Sequence, residues 1–259
     1  MTAKIFKLGL SFAITLAMLV FVSCSDSDDS EVFNGNNSGQ TSFKVSSSFN
    51  SVAGKKYLSE TAKSSLEITS FLVNIEELEL ELDDDDRDDE GRNDDAWDDD
   101  GYYGSDDEIE LKGPFELDLL AGEFVFATVD VPQARYEELE FEFDESDDSS
   151  SELYEKTILV KGTIDGIPFE FWHDFEEEVE IDFEDSNSDI SITNGSNSIV
   201  INFDLDGLFD DITGIDLSEA IDGDDDGLIE INPNDDDGNG AIADELKNKL
   251  EDYIDLLDD

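Results

Sequence analysis

The stretch Phe71-Leu72-Val73-Asn74-Ile75-Glu76-Glu77-Leu78-Glu79-Leu80-Glu81-Leu82 decides the fold. Phe71, Val73 and Ile75 alternate with their neighbours. After a slip of one residue, Leu78, Leu80 and Leu82 alternate against Glu77, Glu79 and Glu81. A period of two sends apolar side chains to one face of a strand and glutamates to the other, and the slip predicts a β-bulge. The pattern recurs from Phe43 onward: Ile109 and Leu111; Phe115, Leu117 and Leu119; Phe124, Phe126 and Thr128; Leu139, Phe141 and Phe143; Ile158, Val160 and Ile164; Val179, Ile181 and Phe183; Ile199, Ile201, Phe203 and Leu205. About nine strands with short connections predict a mostly β chain, an antiparallel sandwich or barrel, with the sandwich as the expectation. Asp165-Gly166, between residues 157–164 and 167–175, predicts a two-residue hairpin, because both positions accept the positive φ of a type I′ turn.

Beyond Asp210 the pattern changes. A turn-rich acidic stretch over 222–240 precedes Ala241 to Leu257, where Ile242, Leu246, Leu250, Ile254 and Leu257 recur at helical spacing. This predicts a C-terminal amphipathic α-helix docked on the sandwich.

The chain holds 72 Asp+Glu against 14 Lys+Arg, a formal net charge of −58 over 259 residues. Such a surface repels phosphate backbones, so nucleic-acid partners are not expected. Hydrophobic residues at 38%, Phe foremost, still suffice for a core. One Cys and one His leave no material for a disulfide framework, a Cys/His zinc site or a thiol–imidazole catalytic system. Strands bearing Glu77/Glu79/Glu81, Glu138/Glu140/Glu142 and Glu178/Glu180/Asp182 would set like charges cross-strand if they neighbour one another. Such a fold is expected to depend on salt or divalent ions.

Lys4 and Lys7, the apolar run from Leu8 to Val22, and Ser23 just before Cys24 form a secretory signal over 1–23. Phe21-Val22-Ser23-Cys24 resembles the lipobox of Gram-negative lipoproteins, with Phe21 in place of the usual Leu. The resemblance implies cleavage before Cys24, lipidation of Cys24, and anchoring in the outer membrane. The acidic run after Cys24 resembles surface-export tags, which favours the cell surface over the periplasmic side. Removing 1–23 takes away two lysines and no acids, which leaves −60 on the exported part. Residues 24–41 read as a flexible tether, 42–210 as the sandwich domain, and 211–259 as the acidic loop region with its helix.

Gly113-Pro114-Phe115 with Asp118-Leu119-Leu120, then Val131-Pro132 and Tyr136 ahead of Glu140-Phe141, resemble an uncharacterised family of bacterial lipoprotein domains. The resemblance covers 73–143 and implies a transthyretin- or immunoglobulin-like sandwich and an envelope location, without an activity.

Four stretches could carry chemistry. The acidic segment 83–108 holds fifteen acids against Arg87 and Arg92. It reads either as a solvated, disordered loop or as a cation-collecting or partner-binding one, with Trp97, Tyr102 and Tyr103 as stacking surface. Asp222, Asp224 and Asp226, with Gly227 and Ile229, fit the first eight positions of an EF-hand-type calcium loop. Position 12 holds Pro233 where a bidentate Glu belongs, so Glu230, Asn234, Asp235 or Asp237 must complete the shell. The second cluster, 234–239, is loosely similar to thrombospondin-type calcium repeats. Calcium is the expected cofactor, with turn-forming Asp and Gly as the alternative. His173 shares its face with Phe169, Phe171 and Phe175, as a core or rim histidine does. Trp172, on the acidic face, is either a sugar-stacking platform or a packing residue.

No nucleophile elbow, phosphate loop or metal-protease motif is present, and among 72 acids a close carboxylate pair has no diagnostic value. The expectation is a lipid-anchored, non-enzymatic envelope or surface protein that binds calcium structurally. The alternative is a carbohydrate- or protein-binding accessory lipoprotein that uses Trp97, Tyr102, Tyr103 or Trp172.

Overall fold

The computed structural model describes residues 38–48, 66–82, 108–182, 190–210 and 214–257. The signal segment, Cys24, most of the tether, the acidic segment through residue 107, and with it Trp97, Tyr102 and Tyr103, lie outside these residues.

The described residues form twelve strands in two sheets: β1 (Ser38–Ser47), β2 (Leu66–Leu82), β3 (Glu108–Asp118), β4 (Phe124–Pro132), β5 (Arg135–Phe143), β6 (Ile158–Ile164), β7 (Ile167–His173), β8 (Glu177–Asp182), β9 (Ile190–Ser191), β10 (Ser196–Phe203), β11 (Ile229–Ile231) and β12 (Ile254–Leu257). One sheet has the order β12-β10-β1-β4. The other runs β11-β7-β6-β2-β5-β8, with β3 also paired to β2 and β9 to β5. Pairing is antiparallel except between β1 and β10 and between β7 and β11. The chain is thus the β-sandwich that alternation predicts, with short strands β9, β11 and β12 added to the long ones. β1 begins at Ser38, inside the stretch read as tether.

β2 organises the larger sheet. Leu72 registers with both Leu159 of β6 and Asp118 of β3, and Ile75 with both Phe143 of β5 and Phe115 of β3. Since a strand has two edges, β3 runs along one, and β6 and then β5 share the other. Asn74, fully buried, sits at their seam: its N–H donates to the Thr157 carbonyl at 2.8 Å and its side-chain amide to the Asp144 carbonyl at 3.1 Å.

The predicted bulge falls at Glu76, where register shifts between Ile75 and Glu77 against both β3 and β5. Opposite it, Gly113-Pro114 occupies the gap between Lys112 and Phe115. A Cβ on Gly113 would lie 2.5 Å from the Ile75 carbonyl oxygen, so only glycine fits. Proline, lacking an N–H, is tolerated within a sheet at such an irregularity. Other residues of the lipoprotein-domain resemblance also hold turns. The Asp118 carboxylate accepts the Leu120 N–H at 3.0 Å, and the buried Tyr136 hydroxyl donates to the Pro132 carbonyl at 3.0 Å.

The Asp165-Gly166 hairpin forms, with φ of +52° and +83° and Ile164 facing Ile167. Between the sheets, the ring of Phe143 in β5 meets that of Phe203 in β10 edge-on at 6.4 Å. The C-terminal helix spans Gly240–Leu250, buries Ala243, Leu246 and Leu250, and ends in a 3-10 turn at Glu251–Tyr253. Ile254 and Leu257, expected on the helical face, belong instead to β12, which pairs with Val200–Phe203 of β10. The backbone groups of that sheet edge outweigh four residues of helical spacing.

Gly113→Ala is expected to lower the unfolding free energy by about 1–3 kcal/mol, since two backbone carbonyls must shift. Urea titration checks this; an unchanged midpoint would contradict the close packing at the bulge.

Candidate metal centre

The acidic loop between the 3-10 turn Leu217–Glu219 and the C-terminal helix is built by carboxylates that accept from its own backbone. Asp222 accepts the N–H of Asp226 at 3.1 Å through Oδ1 and that of Gly227 at 2.9 Å through Oδ2. Asp224 accepts from Asp226, and Asp226 from Leu228. The turn these bonds draw needs positive φ at Asp225 and Gly227, +62° and +93°, which Asp and Gly adopt most readily.

A second layer comes from Asp237, 4% exposed. Its Oδ1 accepts from the N–H groups of Gly223 and Asp224 at 2.9 and 3.2 Å, and its Oδ2 from that of Glu230 at 2.7 Å. Three backbone donors satisfy a buried carboxylate that would otherwise be costly. A side chain on Gly223 would strike the Asp237 carbonyl oxygen at 2.2 Å. Asn239, also buried, locks the loop: its amide donates to the carbonyls of Ile221 and Glu230, and its Oδ1 accepts the Ile221 N–H.

The result is that carboxylate oxygens of Asp222, Asp224 and Asp237 lie within 4.8 Å of one another. Asp226, expected beside them, is outside this group and caps Leu228 instead. Asp235 accepts the Gly240 N–H at 2.6 Å at the start of the helix, and Asn234 is exposed with its N–H on Asn232. Glu230 borders the site, its carboxyl held above the usual range by burial and then by the charges of Asp236, Asp237, Asp226 and Asp224. Sequence spacing placed Asp237 and Asn239 in the second cluster without picking either out, and did not name Asn232. The only signal of the two asparagines is their presence amid aspartates, where a donor is needed.

The second acidic array lies on the outer face of the larger sheet. Register sets Glu108, Glu81, Glu138 and Asp182 in one row, Glu110, Glu79, Glu140 and Glu180 in the next, and Lys112, Glu77, Glu142 and Glu178 in a third. The cross-strand like charges expected from the sequence are therefore direct neighbours, joined by β3. Oxygens of Glu77, Glu79 and Glu110 converge, as do those of Glu138, Glu140 and Glu180. The crowding raises the proton affinity of these carboxyls. A hydrogen bond to Glu110, then burial, pushes Glu77 up to about 8. Glu110, accepting that bond and facing Lys112, is held below its ordinary value. Burial, then Glu178, Glu79, Glu138 and Glu180, raises Glu140 to about 7.

Trp172 is half-buried, paired with Leu159, with the Lys156 ammonium 5.7 Å from its ring centre. The ring thus stands in cation–π contact on the strand's outer face.

No family model matches the chain, and neither does any curated protein. Among solved structures, MbnP from Methylosinus trichosporium is similar over 70% of this chain and 79% of that one, at 13% identity and a TM-score of 0.34. The site is therefore read from this chain's own residues.

A carboxyl whose folded value is raised binds its proton more tightly in the folded state, so stability is lost as pH rises from the unfolded to the folded value. Stability is thus expected to fall between about 4.5 and about 8. Glu77→Gln and Glu140→Gln should flatten that slope and raise the melting temperature at its alkaline end. A thermal-melt profile that is flat or rising across the interval would show that the sheet holds no such protons.

Proposed function

We propose that this protein is a lipid-anchored, non-enzymatic β-sandwich of the cell envelope, in which a calcium ion at Asp222, Asp224 and Asp237 braces the loop between the larger sheet and the C-terminal helix. The convergence of these three carboxylates carries the reading. Two of them come from an Asp-x-Asp-x-Asp-Gly turn and the third from thirteen residues beyond Asp224, where it takes the place that Pro233 vacates at position 12. None of the ion pairs among the described residues reaches them, so a cation is the natural counter-charge. The donors are all oxygen, which suits a hard ion such as calcium and does not suit a thiol- or imidazole-seeking metal. Glu230 is placed to add a further oxygen. The lipobox-like Phe21-Val22-Ser23-Cys24 supports export and anchoring at Cys24, with the outer membrane, surface side, as the location. A structural role accords with the chain's single buried histidine and the absence of any nucleophile motif.

At ten times Kd, a ligand specific for the folded state adds about 1.4 kcal/mol, roughly 3–6 °C in a domain of this size. Millimolar calcium is expected to give such a rise beyond that of equal ionic strength. Asp222→Asn with Asp224→Asn should abolish it and Asp226→Asn should keep most of it. Equal loss in both variants, or no rise at all, would remove the site assignment. Independently, Cys24→Ser should move the protein from the membrane fraction to the soluble one, and its retention there would remove the lipid anchor.

A further inference from the structure

His173, the chain's one histidine, ends β7 and is 8% exposed. Its ring lies edge-on to Phe175 at 5.4 Å. Nδ1 accepts the backbone N–H of Asp174 at 3.0 Å, so in the neutral ring the proton sits on Nε2. That Nε2–H is buried and has no hydrogen-bond partner. Facing it, 3.9 Å away, is Oδ1 of Asp244 on the C-terminal helix. The remaining charged groups around the ring are Asp174, whose Oδ1 is 3.5 Å from Nδ1, and Lys247 on the same helix as Asp244. Lys247 is itself paired with Glu177 at 2.9 Å, its ammonium 5.8 Å from the Phe175 ring centre.

Protonation has one place to go. The Nδ1 lone pair takes the proton, and the ring can no longer accept from the Asp174 backbone. Both nitrogens are then charged donors, Nδ1–H toward the Asp174 carboxylate and Nε2–H toward Asp244. One proton therefore exchanges a bond local to the strand for a pair of carboxylate contacts, one of which reaches across to the helix.

We propose that His173 and Asp244 form an acid-closed clasp that draws the C-terminal helix onto the end of β7. The clasp is open at neutral pH, because burial, ahead of the opposing pull of Asp174 and Asp244, holds the imidazole below its ordinary value. By linkage, the folded protein loses some stability as pH falls from 6.5 through that lowered value, and closure onto Asp244 limits the loss. The helix follows directly on the loop of Asp237 and Asn239 and leads into β12, so the clasp ties that segment to the sheet without touching the carboxylates of the candidate metal centre.

The single imidazole makes the test direct, since the full chain gives one histidine Cε1–H resonance. Its titration is expected to have a midpoint below 6.5. Asp244→Asn should lower that midpoint by about half a unit or more, and Lys247→Met should raise it. Asp244 is largely exposed, so its replacement leaves packing intact. Amide-exchange protection of residues 243–250 should be retained better on the acid side in the wild type than in Asp244→Asn. A midpoint at or above 6.5, or one that Asp244→Asn leaves in place, would overturn the clasp, as would helix protection indifferent to that change.

Discussion

The structure depends on the burial of one side of β2. Leu66, Ile68, Phe71, Val73, Ile75, Leu78, Leu80 and Leu82 are each at most 6% exposed. A fully buried side chain of this kind contributes about 1.5–3 kcal/mol, whereas a like-charged cross-strand pair costs roughly 0.2–1 kcal/mol. The same alternation that lays a row of glutamates on the outer face thus places beneath it an apolar row that outweighs the repulsion. Because β2 pairs with β3, β5 and β6, its register fixes theirs. The Glu76 bulge, answered by Gly113-Pro114, lets the strand carry its apolar face through a slip that would otherwise turn its leucines to solvent.

What the sequence made legible follows from where its signal was strong. Alternation against acid marked β2, β3, β5 and β8, and Asp165-Gly166 marked the β6–β7 hairpin. β1 and β10 hold no acid at all, their apolar positions alternating with Ser, Gln, Lys and Asn, and nothing local announces that they pair in parallel. β11 is three residues long and β12 four. Their conformation comes from the edges they complete, and no window of sequence contains those edges.

In the loop, the spacing of Asp222, Asp224 and Asp226 was readable because each carboxylate makes its own local turn. Which of them converge was not, because that is decided by Asp237, brought in from beyond Pro233. A carboxylate that already accepts from Leu228, as Asp226 does, is directed away from the centre. Local spacing predicts the turn, and the contact between turns selects the oxygens that meet.

The formal charge of −58 therefore describes the chain better than it describes the folded surface. Acids are handled in physically different ways: raised proton affinity on the crowded face of the larger sheet, backbone donors around Asp222 and Asp237, and ion pairs such as that of Glu177 with Lys247. They are also unevenly placed. Ser42, Lys44, Thr128 and Ser198 hold the register positions on the outer face of the smaller sheet, where Ser42 and Thr128 share a hydrogen bond at 3.3 Å. With Asp130 opposite Gln40 and Asp255 opposite Asn202 as the acids in register there, that face is less densely acidic than the glutamate rows of the larger sheet.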